Sequence, residues 1–278
     1  MIILRKSGCK GTVIFSNCQI FLKKNACYYL FLCNFARMLT KTDAIVLRAF
    51  KYGESRMIVD MYTRDHGRLS FGVPLPKSSK GRLKKQLFQP LTLLSIEVDV
   101  RQNQQLQKLA GATVQTPLPS LQTDPVKLSV TLFLDEFLYH ALKGEQQNAP
   151  LFDYVVNSLQ WLDSADGQTA NFHLVFVMRL ARFLGFYPNL DDYSPGDFFD
   201  LRASTFCRQQ PLHRDVLQPQ EAEKVQLMMR MDYATMHLFR LSRQDRGRLV
   251  EIALTYYRIH IPAFPELKSL RVLQEMWD

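Results

Sequence analysis

Apolar and polar residues alternate from Leu39 to about Gln115, and this period of two predicts β-strands. In the first run, Ile45, Leu47 and Ala49 share one face of the predicted strand. Turn-forming residues at 52–55 and 65–67 separate the first three runs. The four later runs are Met57–Met61, Leu69–Val73, Leu94–Val100 and Leu106–Thr113. Five short strands within ~75 residues favour a small closed barrel.

The pattern becomes helical after the Pro-containing stretch Thr116–Pro125. Asp124 is a predicted N-cap, and Ser242 with Asp245 predicts a capping box for a later helix. The segment 187–219 interrupts the helices and predicts a short hairpin around Phe198–Phe206. Predicted helices cover Pro125 to near Gly144, Leu151 to about Leu162, Ala170–Leu184, Pro219 to about Phe239, the region of Leu249–Tyr256, and a short segment after Pro265.

These patterns predict an α+β protein with two domains. An N-terminal five-stranded β-barrel of the oligonucleotide-binding (OB) type covers residues 38–118. An all-α helical domain follows over residues 119–278, with the irregular insertion 187–219. With 278 residues and 47% apolar content, the chain can bury a sizeable core.

Residues 1–37 differ from the rest of the chain. They contain six cations, no acidic residue and four of the five cysteines, at spacings that match no common zinc pattern. The longest apolar stretch, Ala26–Cys33, is far shorter than the ~20 residues of a membrane-spanning helix. We therefore predict that residues 1–37 are a translation start assigned too early or a disordered extension.

The net charge of +9 depends on this segment, because the remaining chain holds 29 cations against 26 acids. Local clusters are therefore more informative than the total charge. The strongest cluster is a basic loop between the third and fourth predicted strands, with five cations in nine residues: Lys77, Lys80, Arg82, Lys84 and Lys85. Such a loop favours a polyanionic partner, since phosphates attract Lys and Arg whatever the base. A solvated connection is the alternative interpretation.

Other residues extend the predicted nucleic-acid interface. Arg48, Lys51 and Arg68 lie on nearby strands or turns, and the rings of Phe50, Tyr52 and Tyr62 are candidates either for base stacking or for the core. A second basic cluster stands at the entry of the penultimate helix, where cations oppose the helix dipole: Arg240, Arg243, Arg246 and Arg248. Arg179 and Arg182 interrupt the apolar third helix, so they are either paired internally or rim an apolar pocket.

Catalytic signatures are absent from the sequence. There is no phosphate-binding Gly-rich loop, no dinucleotide fingerprint and no His-Glu-x-x-His, and the six histidines are scattered. We therefore expect no enzymatic activity, no cofactor and no metal site.

Six motifs occur in order along the chain: Thr42–Leu47, Tyr52–Ser55, Met61–Thr63 followed by Gly67, Leu184–Pro188, Tyr256–His260 and Leu267–Leu270. Together they resemble the RecO family of bacterial DNA repair proteins. The resemblance covers about residues 38–276 and implies a barrel joined to a helical domain. Many members carry four zinc-binding cysteines after the Leu184–Pro188 motif. This chain has only Cys207 there, so we expect apolar contacts of Phe198, Phe199 and Phe206 to hold the segment instead.

The resemblance also implies a cytoplasmic, nucleoid-associated function in recombinational DNA repair. It implies that the protein binds single- and double-stranded DNA, anneals complementary strands and, with RecR, helps a recombinase replace single-stranded-DNA-binding protein (SSB). It further implies that the helical domain engages the acidic tail of SSB, for which Arg179 and Arg182 are candidates. Two alternatives remain open from the residues themselves: an RNA- or tRNA-binding barrel, and a scaffold that binds no nucleic acid.

Overall fold

The computed structural model describes residues 39–74, 83–101, 103–191 and 193–275. Its N-terminal region is a closed barrel with the strand order β1-β2-β3-β5-β4, in which only the β3–β5 pairing is parallel. The strands are β1 (Thr40–Tyr52), β2 (Arg56–Thr63), β3 (Gly67–Pro74), β4 (Leu93–Asp99) and β5 (Leu106–Thr116). The predicted five-stranded barrel is thus confirmed.

A β-bulge in β1 corrects one part of the sequence interpretation. The pairing of β1 with β2 shifts register between Val46 and Arg48, so Leu47 is an extra residue. Ile45 and Leu47 pack into the core of the helical region, whereas Ala49 packs against the barrel interior. The prediction that these three share one face is therefore wrong, because the bulge reverses the alternation after Leu47.

The helical region begins directly after the barrel, which confirms the predicted order of barrel and helices. Asp124 caps the second helix by accepting hydrogen bonds from the backbone N–H groups of Val126 and Lys127, and Ser242 caps the sixth. The helices are α1 (Ser120–Thr123), α2 (Pro125–Ala141), α3 (Ala149–Ser164), α4 (Phe172–Phe183), α5 (Pro219–Met229), α6 (Arg243–His260) and α7 (Ser269–Glu275).

Helix α5 ends at Met229, ten residues before the predicted end near Phe239. Asp232 accepts a hydrogen bond from the Thr235 backbone N–H at 2.7 Å, which forms a local turn instead of helix. Asn171 donates to the carbonyl oxygens of Met236 and Phe239, both at 2.9 Å. These bonds hold residues 232–239 in turns and a short 3-10 helix, Met236–Leu238, instead of a continuation of α5.

The insertion contains the predicted hairpin as part of a small sheet. Its strands are β6 (Phe198–Asp200), β7 (Thr205–Cys207) and β8 (Val216–Leu217), in the order β7-β6-β8. Phe199 and Phe206 are buried and in ring contact, while Phe198 is half-buried. The hydroxyl of Tyr256 on α6 donates to Ser204 Oγ at 2.6 Å, so a polar contact supplements the apolar ones.

The barrel docks on the helices through the turn between β2 and β3. Gly67 has φ +67°, and a Cβ there would lie 2.5 Å from the backbone carbon of Gln146 in the α2–α3 loop. The Arg68 backbone N–H donates to the Glu145 carbonyl oxygen at 3.1 Å. Arg64 makes two hydrogen bonds to Asp153 on α3, at 3.1 and 2.8 Å. These contacts fix the barrel against the helices.

Helix α2 carries two adjacent carboxylates with different environments. Glu136 accepts hydrogen bonds from the backbone N–H groups of Lys268 and Ser269, at 3.1 and 2.7 Å, at the start of α7. Asp135 Oδ1 is buried and finds no hydrogen-bond donor among the described residues. Burial, with a smaller contribution from Glu136, raises the pKa of Asp135 to about 8, although Arg48 acts in the opposite direction.

We expect Gly67→Ala to destabilise the protein far more than Gly53→Ala. Both glycines have φ +67°, but a Cβ at Gly53 meets nothing within 4 Å, whereas at Gly67 it meets the α2–α3 loop. The left-handed backbone alone costs about 1–2 kcal/mol, so the excess at Gly67 measures the docking contact. Urea unfolding of both variants tests this expectation. Equal losses for the two variants would contradict it.

We expect Asp135→Asn to stabilise the protein, with a gain that grows as the pH rises. The folded state retains the proton of Asp135 up to about pH 8, whereas an unfolded Asp loses it near 3.9. Wild-type stability therefore falls relative to the variant as the pH rises from about 4 to about 8, and the difference is constant above that range. Thermal unfolding across this range measures the difference; a gain that does not vary with pH contradicts the assignment.

Candidate nucleic-acid interface

Part of the predicted basic loop lies outside the described residues, namely Lys77, Lys80 and Arg82. Lys84 and Lys85 are described, and both are exposed. Lys85 begins a single 3-10 turn that ends at Phe88, whose side chain is buried in the barrel interior. The end of the loop is therefore anchored to the barrel and presents two lysines to solvent.

The second half of β1 lies on the outside of the barrel. Arg48, Phe50 and Tyr52 alternate along the strand and are exposed, whereas Ala49 between them packs inward. Phe50 is 39% exposed and Tyr52 63% exposed, which is unusual for large rings on a barrel strand. The bulge at Leu47 produces this arrangement, because it turns position 48 and every second residue after it outward.

Neighbouring strands extend this side of the barrel. In the register of the sheet, Phe50 pairs with Ile58, Ile58 with Gly72, and Gly72 with Lys108. Gly72 has no side chain, and a Cβ there would lie 3.0 Å from Leu106 Cδ2, so Leu106 occupies the space above it. Tyr52 pairs with Arg56 in the next row. We call this surface the outer barrel face; it consists of Arg48, Phe50, Tyr52, Arg56, Ile58, Leu106 and Lys108.

Among the described residues, the cations of the outer barrel face have no carboxylate partner. Arg48, Arg56 and Lys108 are exposed, as is Lys51 on the opposite side of β1, and in this part of the chain no carboxylate oxygen lies within 4.0 Å of these cations. The guanidinium of Arg48 instead lies over two rings, 5.2 Å from the Phe50 centroid and 5.0 Å from that of Tyr139 on α2. It is thus held in place without being neutralised.

Arg68 has a different environment from Arg48. Its side chain is only 13% exposed and lies 3.9 Å from Asp60, and its guanidinium lies over the Tyr139 ring at 4.4 Å. It also donates to the Tyr139 carbonyl oxygen. Arg68 therefore joins the barrel to α2, and little of its charge faces solvent.

The second predicted cluster is largely engaged within the helical region. Arg248 forms ion pairs with Glu221 at 2.6 Å and Glu251 at 3.3 Å, and Arg246 donates to the Leu241 carbonyl oxygen at 2.8 Å. The other two members, Arg240 and Arg243, are exposed. Arg243 donates a hydrogen bond to the Gln274 carbonyl oxygen at 3.3 Å. Arg240 precedes α6 and Arg243 is its first residue; the helix is capped by Ser242, which accepts from the Asp245 backbone N–H at 3.0 Å.

The two candidate arginines of α4 are placed differently from each other. Arg179 is half-buried and donates to the Met231 carbonyl oxygen at 3.4 Å, and it lies near Asp232. Arg182 is exposed at the last turn of α4. Only Arg182 therefore presents most of its side chain to a partner.

Tyr62, which the sequence offered as a candidate for base stacking, cannot stack with a base. Tyr62 is fully buried, and its hydroxyl donates to the Gln146 carbonyl oxygen at 3.3 Å. It points to the same side of β2 as Ile58, but the helices cover this end of the barrel. Arg56 and Lys108 are not among the residues predicted from the sequence, because only the strand register places them beside Phe50 and Tyr52.

Among the described residues, no group of three or more His, Cys, Asp or Glu side chains is placed to hold a metal ion. No helix there has the length and apolarity to cross a membrane.

Comparison with known proteins covers almost all of the described chain. The family described as "Recombination protein O N terminal" matches residues 38–117, and "Recombination protein O C terminal" matches residues 122–271. The proteins named DNA repair protein RecO from Bacteroides fragilis and Phocaeicola vulgatus are 50% and 48% identical over 242 and 241 residues. Each alignment covers 87% of this chain and 100% of the relative.

A more distant relative extends the comparison. DNA repair protein RecO from Porphyromonas gingivalis is 34% identical over 248 residues, again across 87% of this chain and 100% of its own length. The matched segments include the whole barrel and nearly all the helices. The chain therefore belongs to the RecO family of DNA repair proteins.

Proposed function

We propose that this protein is a non-catalytic mediator of recombinational repair, which binds single- and double-stranded DNA, anneals complementary strands and helps load a recombinase onto SSB-coated strands. The observation that carries this proposal is the outer barrel face of a RecO-family protein, where exposed cations with no carboxylate partner in the described part of the chain adjoin exposed rings. Such a surface attracts phosphates and offers rings to bases. The proposed place of action of the protein is the cytoplasm, at the nucleoid.

Annealing needs no bond-making group, because its main obstacle is electrostatic. Two complementary strands repel each other through their phosphates, and a multivalent cationic surface can screen both while their bases pair. Arg48, Lys51 and Arg56 on the first hairpin and Lys84 and Lys85 at the loop end supply such charges. Lys77, Lys80 and Arg82 complete the proposed surface.

The helical region is the proposed site for protein partners. Engagement of RecR and of the acidic tail of SSB rests on membership of the family. Arg182, which is exposed, is the better candidate contact for an acidic tail, and Arg179 supports it from a half-buried position. The cluster Arg240–Arg248 contributes to DNA binding mainly through the exposed Arg240, since Arg248 is ion-paired.

We expect the quadruple variant Lys80→Ala, Arg82→Ala, Lys84→Ala and Lys85→Ala to weaken DNA binding to a similar extent for all sequences. Each lost phosphate contact should lower the slope of log K against log salt by about 0.9 for duplex and about 0.7 for single strands. Fluorescence anisotropy at several salt concentrations measures both quantities.

A control of equal charge uses cations that already pair with acids. The variant Lys41→Ala, Arg101→Ala, Arg202→Ala and Arg258→Ala also removes four charges, but their partners are Glu97, Asp99, Asp215 and Glu266. If both variants lower the salt slope equally, binding follows net charge alone, and the proposed surface is wrong.

We expect the wild-type protein to accelerate annealing of complementary strands that are coated with SSB, and the quadruple loop variant to lose most of this acceleration. The physical reason is that screening two strands requires more cations than holding one. Strand pairing followed by fluorescence energy transfer measures the rate. A clear preference for RNA over single-stranded DNA in competition, or no nucleic-acid binding at low salt, would contradict the proposal.

A further inference from the structure

We propose that Phe50 and Tyr52 form a base-stacking pair that makes the outer barrel face prefer unpaired strands to duplex. This inference rests on the proposed function, because it assigns the residues that distinguish two forms of the proposed ligand. The cations alone cannot make this distinction, since both forms present phosphates. The discrimination must come from groups that contact the bases.

The spacing of the two rings favours an unstacked strand. Residues two positions apart in a β-strand are separated by roughly 7 Å along the strand. Successive bases in one strand of a duplex are only about 3.4 Å apart, and their faces are already covered by their neighbours. Phe50 and Tyr52 can therefore each receive one base of a strand whose bases are separated, but not neighbouring bases of an intact duplex.

Both rings are accessible to a base. Tyr52 is 63% exposed, and among the described residues no other ring or cation lies over it. Phe50 is 39% exposed and has the Arg48 guanidinium 5.2 Å from its centroid. A guanidinium plane also stacks on bases, so Arg48 extends the stacking surface instead of blocking it.

The pair is held on a rigid support. Phe50 and Tyr52 belong to the paired part of β1, opposite Ile58 and Arg56 of β2. Arg48 lies over Tyr139 of α2 as well as over Phe50, so it connects the Phe50 end of the ring pair to the helical region. Little conformational entropy is lost when a base binds to rings that are already in position.

Cations lie at both ends of this apolar strip. Arg56 stands opposite Tyr52, and Lys108 stands at the far end of the row that starts with Phe50. Between them, Ile58 and Leu106 supply an apolar floor. A strand crossing this face can therefore place bases on the rings while its phosphates meet Arg56 and Lys108.

The test compares the Phe50→Leu/Tyr52→Leu double variant with the wild-type protein. Leucine keeps the apolar surface but removes the ring faces. The probes are oligothymidylate of about 15 nucleotides and a duplex of the same length, measured by anisotropy at one salt concentration. We expect affinity for the single strand to fall about tenfold for each ring removed, with duplex affinity unchanged within about twofold.

The conservative variant Tyr52→Phe is the matched control. It keeps the ring and removes only the hydroxyl, so we expect single-strand affinity close to that of wild type. The salt slope should be the same in all three proteins, since no phosphate contact is removed. Because both side chains are exposed, thermal unfolding should show that the variants fold as the wild-type protein does.

Photo-crosslinking gives a second measurement that needs no variant. Oligothymidylate containing 5-iododeoxyuridine should crosslink to Phe50 or Tyr52 in the wild-type protein. Equal losses of single-strand and duplex affinity in the double variant, no loss of either, or crosslinks only elsewhere would overturn the inference. Wild-type protein that binds neither probe would instead overturn the proposed function, so the two failures are distinguishable.

Discussion

The docking of the β2–β3 turn on the α2–α3 loop is the constraint on which the rest of the structure depends. Gly67 allows two backbones to approach more closely than any side chain would permit, and Arg64 secures the contact with two hydrogen bonds to Asp153. Because this contact fixes the barrel against the helices, the α2–α3 loop and Phe152 of α3 cover Tyr62, and α2 presents Tyr139 to Arg48 and Arg68. One turn thereby decides which part of the barrel is core and which part remains available to a ligand.

Arginines that look equivalent in the sequence have three different environments in the fold. Arg68 is half-buried and joins the barrel to α2, and Arg248 is neutralised by Glu221 and Glu251. Arg48 is exposed and is held by two rings without an acid within ion-pair distance in the described chain. Since only an uncompensated charge displaces counterions from DNA, the surroundings of a cation say more about binding than the number of cations does.

Local signals in the sequence were sufficient for most of the architecture. Strand alternation predicted the five barrel strands, and the capping residues Asp124 and Ser242 correctly marked two helix starts. Three features depend on distant partners and could not be predicted locally. The bulge at Leu47 follows from pairing with β2, the early end of α5 from bonds to Asn171, and the exposure of Phe50 from what the helices leave uncovered. The candidate site thus depends on the register of the barrel strands more than on any sequence motif.

The capping of α7 by Glu136 has a consequence for how the chain matures on the ribosome. The two partners are separated by 132 and 133 positions, so at about 5–20 residues per second the carboxylate waits on the order of ten seconds for its donors. During this interval the Glu136 carboxylate lacks its two backbone donors and lies beside a second carboxylate, Asp135. The barrel strands precede α2 in the chain and can pair before that time. Synthesis therefore completes the barrel strands and α2 before α7, which leaves a nascent species in which Glu136 has no backbone donor from residues 268 and 269.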